Sequence, residues 1–181
     1  MMFGDQTRAD LRTCGAKGDG LAQWLKALWL NPAFLAVSCY RLSSRLYPQA
    51  GLKRLLARAI WRYALKSCGC DISPRSRIGQ RFYAVHPIGV VIGGGCEIAD
   101  DVTLYQNVTL GQKHDGGGFP VVKDRVTIYA GACVLGGVTI GEDAIIGANA
   151  VVLADVAAGQ TVAGAPAIPV TKRRERPKKA A

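Results

Sequence analysis

Histidine is scarce in this chain: 181 residues contain two, His86 and His114. A zinc site built on three histidine ligands is thereby excluded. There are six cysteines, Cys14, Cys39, Cys68, Cys70, Cys96 and Cys133, but only Cys68-Gly-Cys70 are close together. No second pair at ligand spacing exists to complete a thiolate site, so no metal is expected. The longest apolar run, Ala27 to Tyr40, is broken by Asn31-Pro32 and falls short of the ~20 residues that span a bilayer. The start, Met-Met-Phe-Gly-Asp-Gln-Thr-Arg-Ala-Asp, lacks the charged-then-apolar order of a secretory signal. Also missing are a GxSxG turn, a GxxxxGK[ST] phosphate loop and an RNA-binding aromatic motif. From these absences a reducing cytoplasm is expected, with the cysteines as small apolar fillers.

What is present is positive charge, unevenly spread. Residues 1–66 carry 11 Lys/Arg against 3 Asp/Glu, residues 67–170 carry 6 against 9, and residues 171–181 carry 6 against 1. A mildly acidic middle lies between two basic flanks, which favour anionic partners without choosing among phosphates, acidic glycans, membrane surfaces and nucleic acid. Nucleic acid is the weakest of these, because the middle is acidic and the aromatics suit helix cores.

The middle repeats every six residues. Ile92, Ile98, Leu104, Leu110, Val122, Ile128, Val134, Ile140, Ile146 and Val152 share one phase, interrupted only at Gly116. Four places after these positions stand small or β-branched residues: Cys96, Val102, Val108, Val126, Ala132, Val138, Ala144 and Ala150. Six residues fit neither a helix nor a simple alternation, and they are a signature of a parallel β-helix. Each hexad is a short strand plus a turn, its aliphatic side chain pointing into a prism. One coil cannot bury that face alone, so several must stack. The fold expected is mainly β, a parallel β-helix over residues 71–166, behind an N-terminal helical domain at 1–70 and before a basic tail at 167–181.

Residues 1–20 have no sustained period and suit an irregular or partly helical arm. Leu21, Trp24, Leu25, Leu28 and Trp29 then recur at helical spacing. Asn31-Pro32 ends that helix and caps another that turns Phe34, Leu35, Val37, Leu42 and Leu46 largely inward and stops near Pro48. A third helix, from about Gly51 to Ser67, has Leu52, Leu55, Leu56, Ala59, Ile60 and Tyr63 on one side. On the other stand Arg54, Arg58, Arg62 and Lys66, four cations at i, i+4. That row is either a solvated face or a contact with anionic lipid headgroups or an acidic polymer.

Two breaks in the hexads mark where a site should be sought. The phase slips by two residues before Ile92, next to Tyr83-Ala-Val-His86-Pro-Ile-Gly. The second break, residues 112–120, contains Gly116-Gly-Gly118; three consecutive glycines do not suit a coil edge, so this segment leaves the prism as a loop able to carry binding work. At the first break, His86 is either a buried histidine with a backbone partner or a general base, since neutral imidazole is the usual acceptor of a hydroxyl proton near neutral pH. Asp71 lies fifteen residues earlier, close to one coil away if three hexads make a turn, and could fix the imidazole's tautomer. His114 is either an exposed loop residue or a participant.

With these residues in view the chain resembles the hexapeptide acyltransferases, and among them the serine O-acetyltransferase type. The resemblance covers most of residues 30–170. It rests on Asp71-Ile-Ser-Pro, His86-Pro-Ile-Gly-Val-Val-Ile-Gly, Gln106-Asn-Val-Thr-Leu-Gly111, Ile128-Tyr-Ala-Gly-Ala-Cys-Val-Leu-Gly136, Ile146-Gly-Ala-Asn-Ala-Val-Val152 and Ala163-Gly-Ala-Pro-Ala167. It implies a left-handed β-helix, a homotrimer or pair of trimers with sites between subunits, and acetyl-CoA as co-substrate with no bound cofactor. By motif position His86 is the base and Asp71 its partner. Acetyl-CoA would lie near Gly111, Gln112, Ala130 and Ala148, with Lys172 or Arg173 at its phosphates, and the oxyanion would sit near Gly111 and Gln112. The family usually has Asp before the base and an Arg-His pair before the loop proline; here Val85, Gly118 and Phe119 stand there. Losing those charges weakens the case for free serine. A sugar hydroxyl of an exopolysaccharide or other glycan, at the inner membrane face, is therefore ranked ahead of L-serine, with His114 and Phe119 near the acceptor. A non-catalytic β-helix that binds an anionic surface is the rival of another class.

Overall fold

The computed structural model describes residues 5–15, 18 and 20–170. Helices α1 (Asp5–Thr13), α2 (Leu21–Leu30), α3 (Pro32–Leu46) and α4 (Leu52–Cys68) come first. Asn31 separates α2 from α3, its side chain accepting the Phe34 N–H at 3.1 Å, with Pro32 as the first helical residue. Gly69, in the left-handed conformation at φ 64°, ends α4.

Five parallel coils of a β-solenoid follow. The first holds β1 (Asp71–Ile72), β2 (Arg77–Ile78) and β3 (Tyr83–Ala84); the second, β4 (Val91–Ile92), β5 (Glu97–Ile98) and β6 (Thr103–Leu104). The third holds β7 (Thr109–Gly111), β8 (Val121–Val122) and β9 (Thr127–Ile128); the fourth, β10 (Cys133–Leu135), β11 (Thr139–Ile140) and β12 (Ile145–Ile146). β13 (Val151–Val152) and β14 (Thr161–Ala163) make the last, closed by β15 (Ile168–Pro169), which runs antiparallel to β14. Strands stack into three faces: β1-β4-β7-β10-β13, then β2-β5-β8-β11, then β3-β6-β9-β12-β14. Backbone bonds climb from coil to coil, for example Asp71 N–H to Val90 O at 2.8 Å and Thr109 N–H to Ala132 O at 2.9 Å.

The hexad residues fill this prism. All ten aliphatic positions and all eight small positions are buried. Each buried aliphatic contributes about 1.5–3 kcal/mol, a sum that only stacking realises. Burial also raises the thiols of Cys14 and Cys96 to about 12 and that of Cys39 to about 11, which keeps them protonated and inert. At the corner between the second and third faces, Arg81, Asp101, Arg125 and Asp143 stack with φ between 54° and 60°. Arg81 pairs with Asp101 at 2.6 Å and Arg125 with Asp143 at 2.8 Å. Much of the acidity of the middle region goes into this edge.

The helices depart from expectation in which sides pack. On α4 the buried residues are Ala57, Ala64 and Cys68, whereas Leu52, Leu55, Leu56 and Tyr63 are exposed. The small residues let α4 approach α3 closely and leave both the leucines and the cations outward. On α3, Phe34 and Val37 are buried as expected, but Leu42 is exposed and Arg41 is buried in its stead. Arg41 bonds Asp10 of α1 at 2.9 Å and donates to the carbonyls of Ile78 and Gly79, tying the helices to the first coil.

Candidate functional site

The two-residue slip lies in the corner between β3 and β4, where Ala84 to Ile92 takes eight residues instead of six. Pro87 and Val90 of this corner are buried, and His86 is exposed. The alternative of a buried histidine is thus corrected: no hydrogen bond within the chain engages the His86 ring among the described residues. Gly89 makes the turn at φ 72°, its N–H donating to Gly69 O at 2.8 Å, while Asn107 N–H donates to Ile88 O at 3.0 Å.

The same corner recurs in every coil. Ala84, Leu104, Ile128 and Ile146 stand in register on the third face, so His86, Gln106, Ala130 and Ala148 follow each of them by two residues and form one column. The stacking continues through Gly131 N–H to Gln106 O at 3.0 Å and Asn149 N–H to Ala130 O at 2.9 Å. Gln106 Oε1 is buried there with no partner among the described residues. Ala130 and Ala148, singled out for acetyl-CoA, therefore share the edge that carries His86.

Gly89 has little freedom to change. A Cβ there would meet Asn107 Oδ1 at 2.0 Å, at a backbone angle that side chains rarely adopt. Gly89→Ala is expected to destabilise the fold by about 1–3 kcal/mol and to lower the urea midpoint accordingly.

Asp71 makes no hydrogen bond to the histidine within the described chain. The first coil takes 20 residues, pairing Asp71 with Val91, so the carboxylate stands on the first face beyond the corner. Its Oδ1 accepts from Trp61 Nε1 at 2.9 Å, and no hydrogen bond or ion pair to His86 forms within the chain among the described residues. Trp61 was not legible as a site residue. Its one signal is its place on the buried line of α4 with Ala57, Ala64 and Cys68.

The remaining candidates sit at the opposite edge of the first face. Gly111 ends β7, its carbonyl accepting from Gly136 N–H at 2.9 Å. Gln112 is exposed; its side chain donates to Gly117 O at 2.5 Å, and its own backbone N–H makes no bond among the described residues. The loop is folded on itself through Gly117 N–H to His114 O at 2.9 Å; the exposed His114 ring lies beside Gly117 and comes within 3.2 Å of Asp115 O. Phe119 lies against the backbone of Gly93 and Gly95, where an added Cβ would come within 2.7 and 2.2 Å of its ring. Three consecutive glycines, 93–95, thus do form a coil corner: Gly93 and Gly95 make room for this anchor, and Gly94 lies against Ser73 and Arg75. Tyr47, Trp61, Arg75, Gln112 and Phe119 line a cleft of about 430 Å³ beside it. Within one chain, then, His86, Ala130 and Ala148 lie on one corner and Gly111, Gln112, His114 and Phe119 on another. Lys172 and Arg173 lie outside the described residues.

Among the described residues, no group of three His, Cys, Asp or Glu is placed to hold a metal ion. The family model for bacterial transferase hexapeptide repeats matches residues 119–154. A serine acetyltransferase of Helicobacter pylori strain J99 is 43% identical over 151 residues, spanning 82% of this chain and 87% of the relative. Among solved structures, soybean serine acetyltransferase complexed with serine superposes with a TM-score of 0.80 at 35% identity, covering 91% of this chain and 68% of that one. A serine acetyltransferase in complex with CoA gives 0.80 at 33%, covering 92% and 69%. The hexad coils, the histidine corner and these likenesses agree: this chain belongs to the serine acetyltransferase family, acyltransferases built on hexapeptide repeats.

Proposed function

We propose that this chain transfers an acetyl group from acetyl-CoA to the hydroxyl of L-serine, with His86 as general base. The observation that carries this is the exposed imidazole, without an internal partner among the described residues, on a corner widened by two residues. Such a group is accessible to a substrate hydroxyl on a rigid frame. The relatives' names favour serine, reversing the order that the missing charges at Val85, Gly118 and Phe119 set.

Each group has a definite task. The imidazole takes the hydroxyl proton as the oxygen attacks the thioester carbonyl; the carbon–sulfur bond then breaks, and the proton passes to the departing thiolate. Charge that develops on the carbonyl oxygen needs fixed donors, and the unengaged Gln112 N–H supports that role. Asp71, which accepts from Trp61 Nε1 and makes no hydrogen bond to His86 within the described chain, is assigned as the carboxylate partner of the base by its motif position alone. Lys172 and Arg173 are assigned to the CoA phosphates by charge alone.

The division of the candidates between two prism corners supports a site shared by neighbouring copies. In a homotrimer, the loop corner of one prism would meet the histidine corner of the next, completing three equivalent clefts. Pairing of two such trimers is a further step that this geometry does not require.

A sugar acceptor is the second reading, favoured by the cleft walled by Tyr47, Trp61 and Phe119. Aromatic faces suit a sugar ring, and Val85 offers no charge to a serine ammonium. Thiol release from acetyl-CoA, measured with L-serine, with nucleotide sugars and with oligosaccharides, separates the two. Saturation by millimolar serine alone is the expected result; turnover with glycans alone would transfer the assignment to a sugar hydroxyl.

A further inference from the structure

Residues 21–68 contain eight Lys/Arg and no Asp or Glu. Arg41 is buried against Asp10, and the other seven are exposed. None of the seven has a carboxylate partner among the described residues. Four of them, Arg54, Arg58, Arg62 and Lys66, run along α4 beside the exposed Leu52, Leu55, Leu56 and Tyr63. The first two of these apolar residues are 79% and 62% exposed, and with Leu56 and Tyr63 they form an open apolar patch beside the cations. An apolar groove of about 390 Å³, lined by Trp24, Leu28, Leu35, Leu42 and Ile60, crosses α3 between α2 and α4.

The charge decides what covers this face. A second copy packed about a two-fold axis would set the same uncompensated cations against one another. The acidic residues of the coils offer little relief, since Asp101 and Asp143 are already paired with arginines. An anionic bilayer satisfies both halves of the surface, taking leucine and tyrosine at the acyl boundary and cations at the lipid phosphates. No helix among the described residues is long and apolar enough to cross a membrane, so the contact is peripheral.

We propose that the outer face of α4 seats this protein on an anionic lipid surface, with Leu52, Leu55 and Leu56 at the acyl boundary and Arg54, Arg58, Arg62 and Lys66 on the phosphates. The inference is independent of the acceptor, because these residues lie outside the candidate site. The test is co-sedimentation of the full chain with phosphatidylcholine vesicles and with vesicles that also contain phosphatidylglycerol. Binding only to the anionic vesicles, weakened on the order of a hundredfold or more by R54Q/R58Q/R62Q/K66Q, is the expected result. Leu52→Glu with Leu56→Glu should also weaken it, with thiol release from acetyl-CoA in solution unchanged in both variants as the check on folding. Four results would overturn the proposal: no vesicle binding, equal binding to neutral and anionic vesicles, retention on an acidic polysaccharide without vesicle binding, or self-association through this face. A concentration-dependent doubling of mass by ultracentrifugation, lost in the double glutamate variant, would assign the face to contacts between copies.

Discussion

His86→Ala is expected to lower turnover by roughly 10²–10⁴-fold while leaving the denaturation midpoint in place. The size follows from the loss of a positioned base, whose hydroxyl substrate then gives its proton to water alone. Retained stability follows from the ring's surroundings: it is exposed, and no hydrogen bond within the described chain depends on it. The corner is shaped instead by Pro87, Gly89 and the backbone bonds to Gly69 and Asn107. Thiol release and urea denaturation on the same preparation separate chemistry from folding. A variant with near-normal turnover would mean that another group takes the proton, and one that unfolds would mean that the ring is structural.

Arg41→Met carries the largest expected effect on stability, a loss of about 3–5 kcal/mol. Arg41 and Asp10 are buried, with side-chain exposures of 5% and 2%, and Arg41 also serves the carbonyls of Ile78 and Gly79. Methionine matches much of the volume but removes the guanidinium from a buried carboxylate, which keeps only backbone N–H donors of Arg81 and Phe82, and leaves two carbonyls without the Arg41 donor. The helices should loosen from the first coil, seen as a lower urea midpoint followed by far-ultraviolet circular dichroism. Burial pushes the Asp10 carboxyl above its ordinary value, outweighing the downward pull of the Arg41 guanidinium. A raised native value means that the folded chain binds more protons than the unfolded chain between the two values. The contribution of this group is therefore fully present below the ordinary carboxylate value and declines as pH rises through the native one. Asp10→Asn should remove that slope, so the urea midpoints of the two proteins should diverge with pH in this acidic window and run parallel above it.

How much of the site could be read in advance varied residue by residue. His86 was found because a strict repeat makes an insertion conspicuous: two extra residues between Ala84 and Ile92 have no place inside the prism and must widen a corner. The neighbourhood of Ala130 and Ala148 followed from the motif and is explained by register, since equal steps bring them into the column of His86. No hydrogen bond joins Asp71 to His86 within the described chain, and the spacing of fifteen residues could not show this, because it assumes a turn of three hexads whereas this turn takes 20. Trp61 lay beyond reach, because its partner is chosen by how α4 crosses the first strand.

The hexad spacing alone determined the coils, their buried aliphatic column and the places where chain had to leave the prism, because strand, turn and inward side chain repeat within six neighbouring residues. Asn31-Pro32 and Gly69 likewise set helix ends through local backbone geometry. Only the tertiary structure decided which side of α4 is covered, since an apolar stripe marks a surface that avoids water without naming its neighbour, and small residues allowed the closer packing. It also decided that the candidate site is divided between two edges of one face, a matter of how many residues each coil spends at each corner, which no local pattern records.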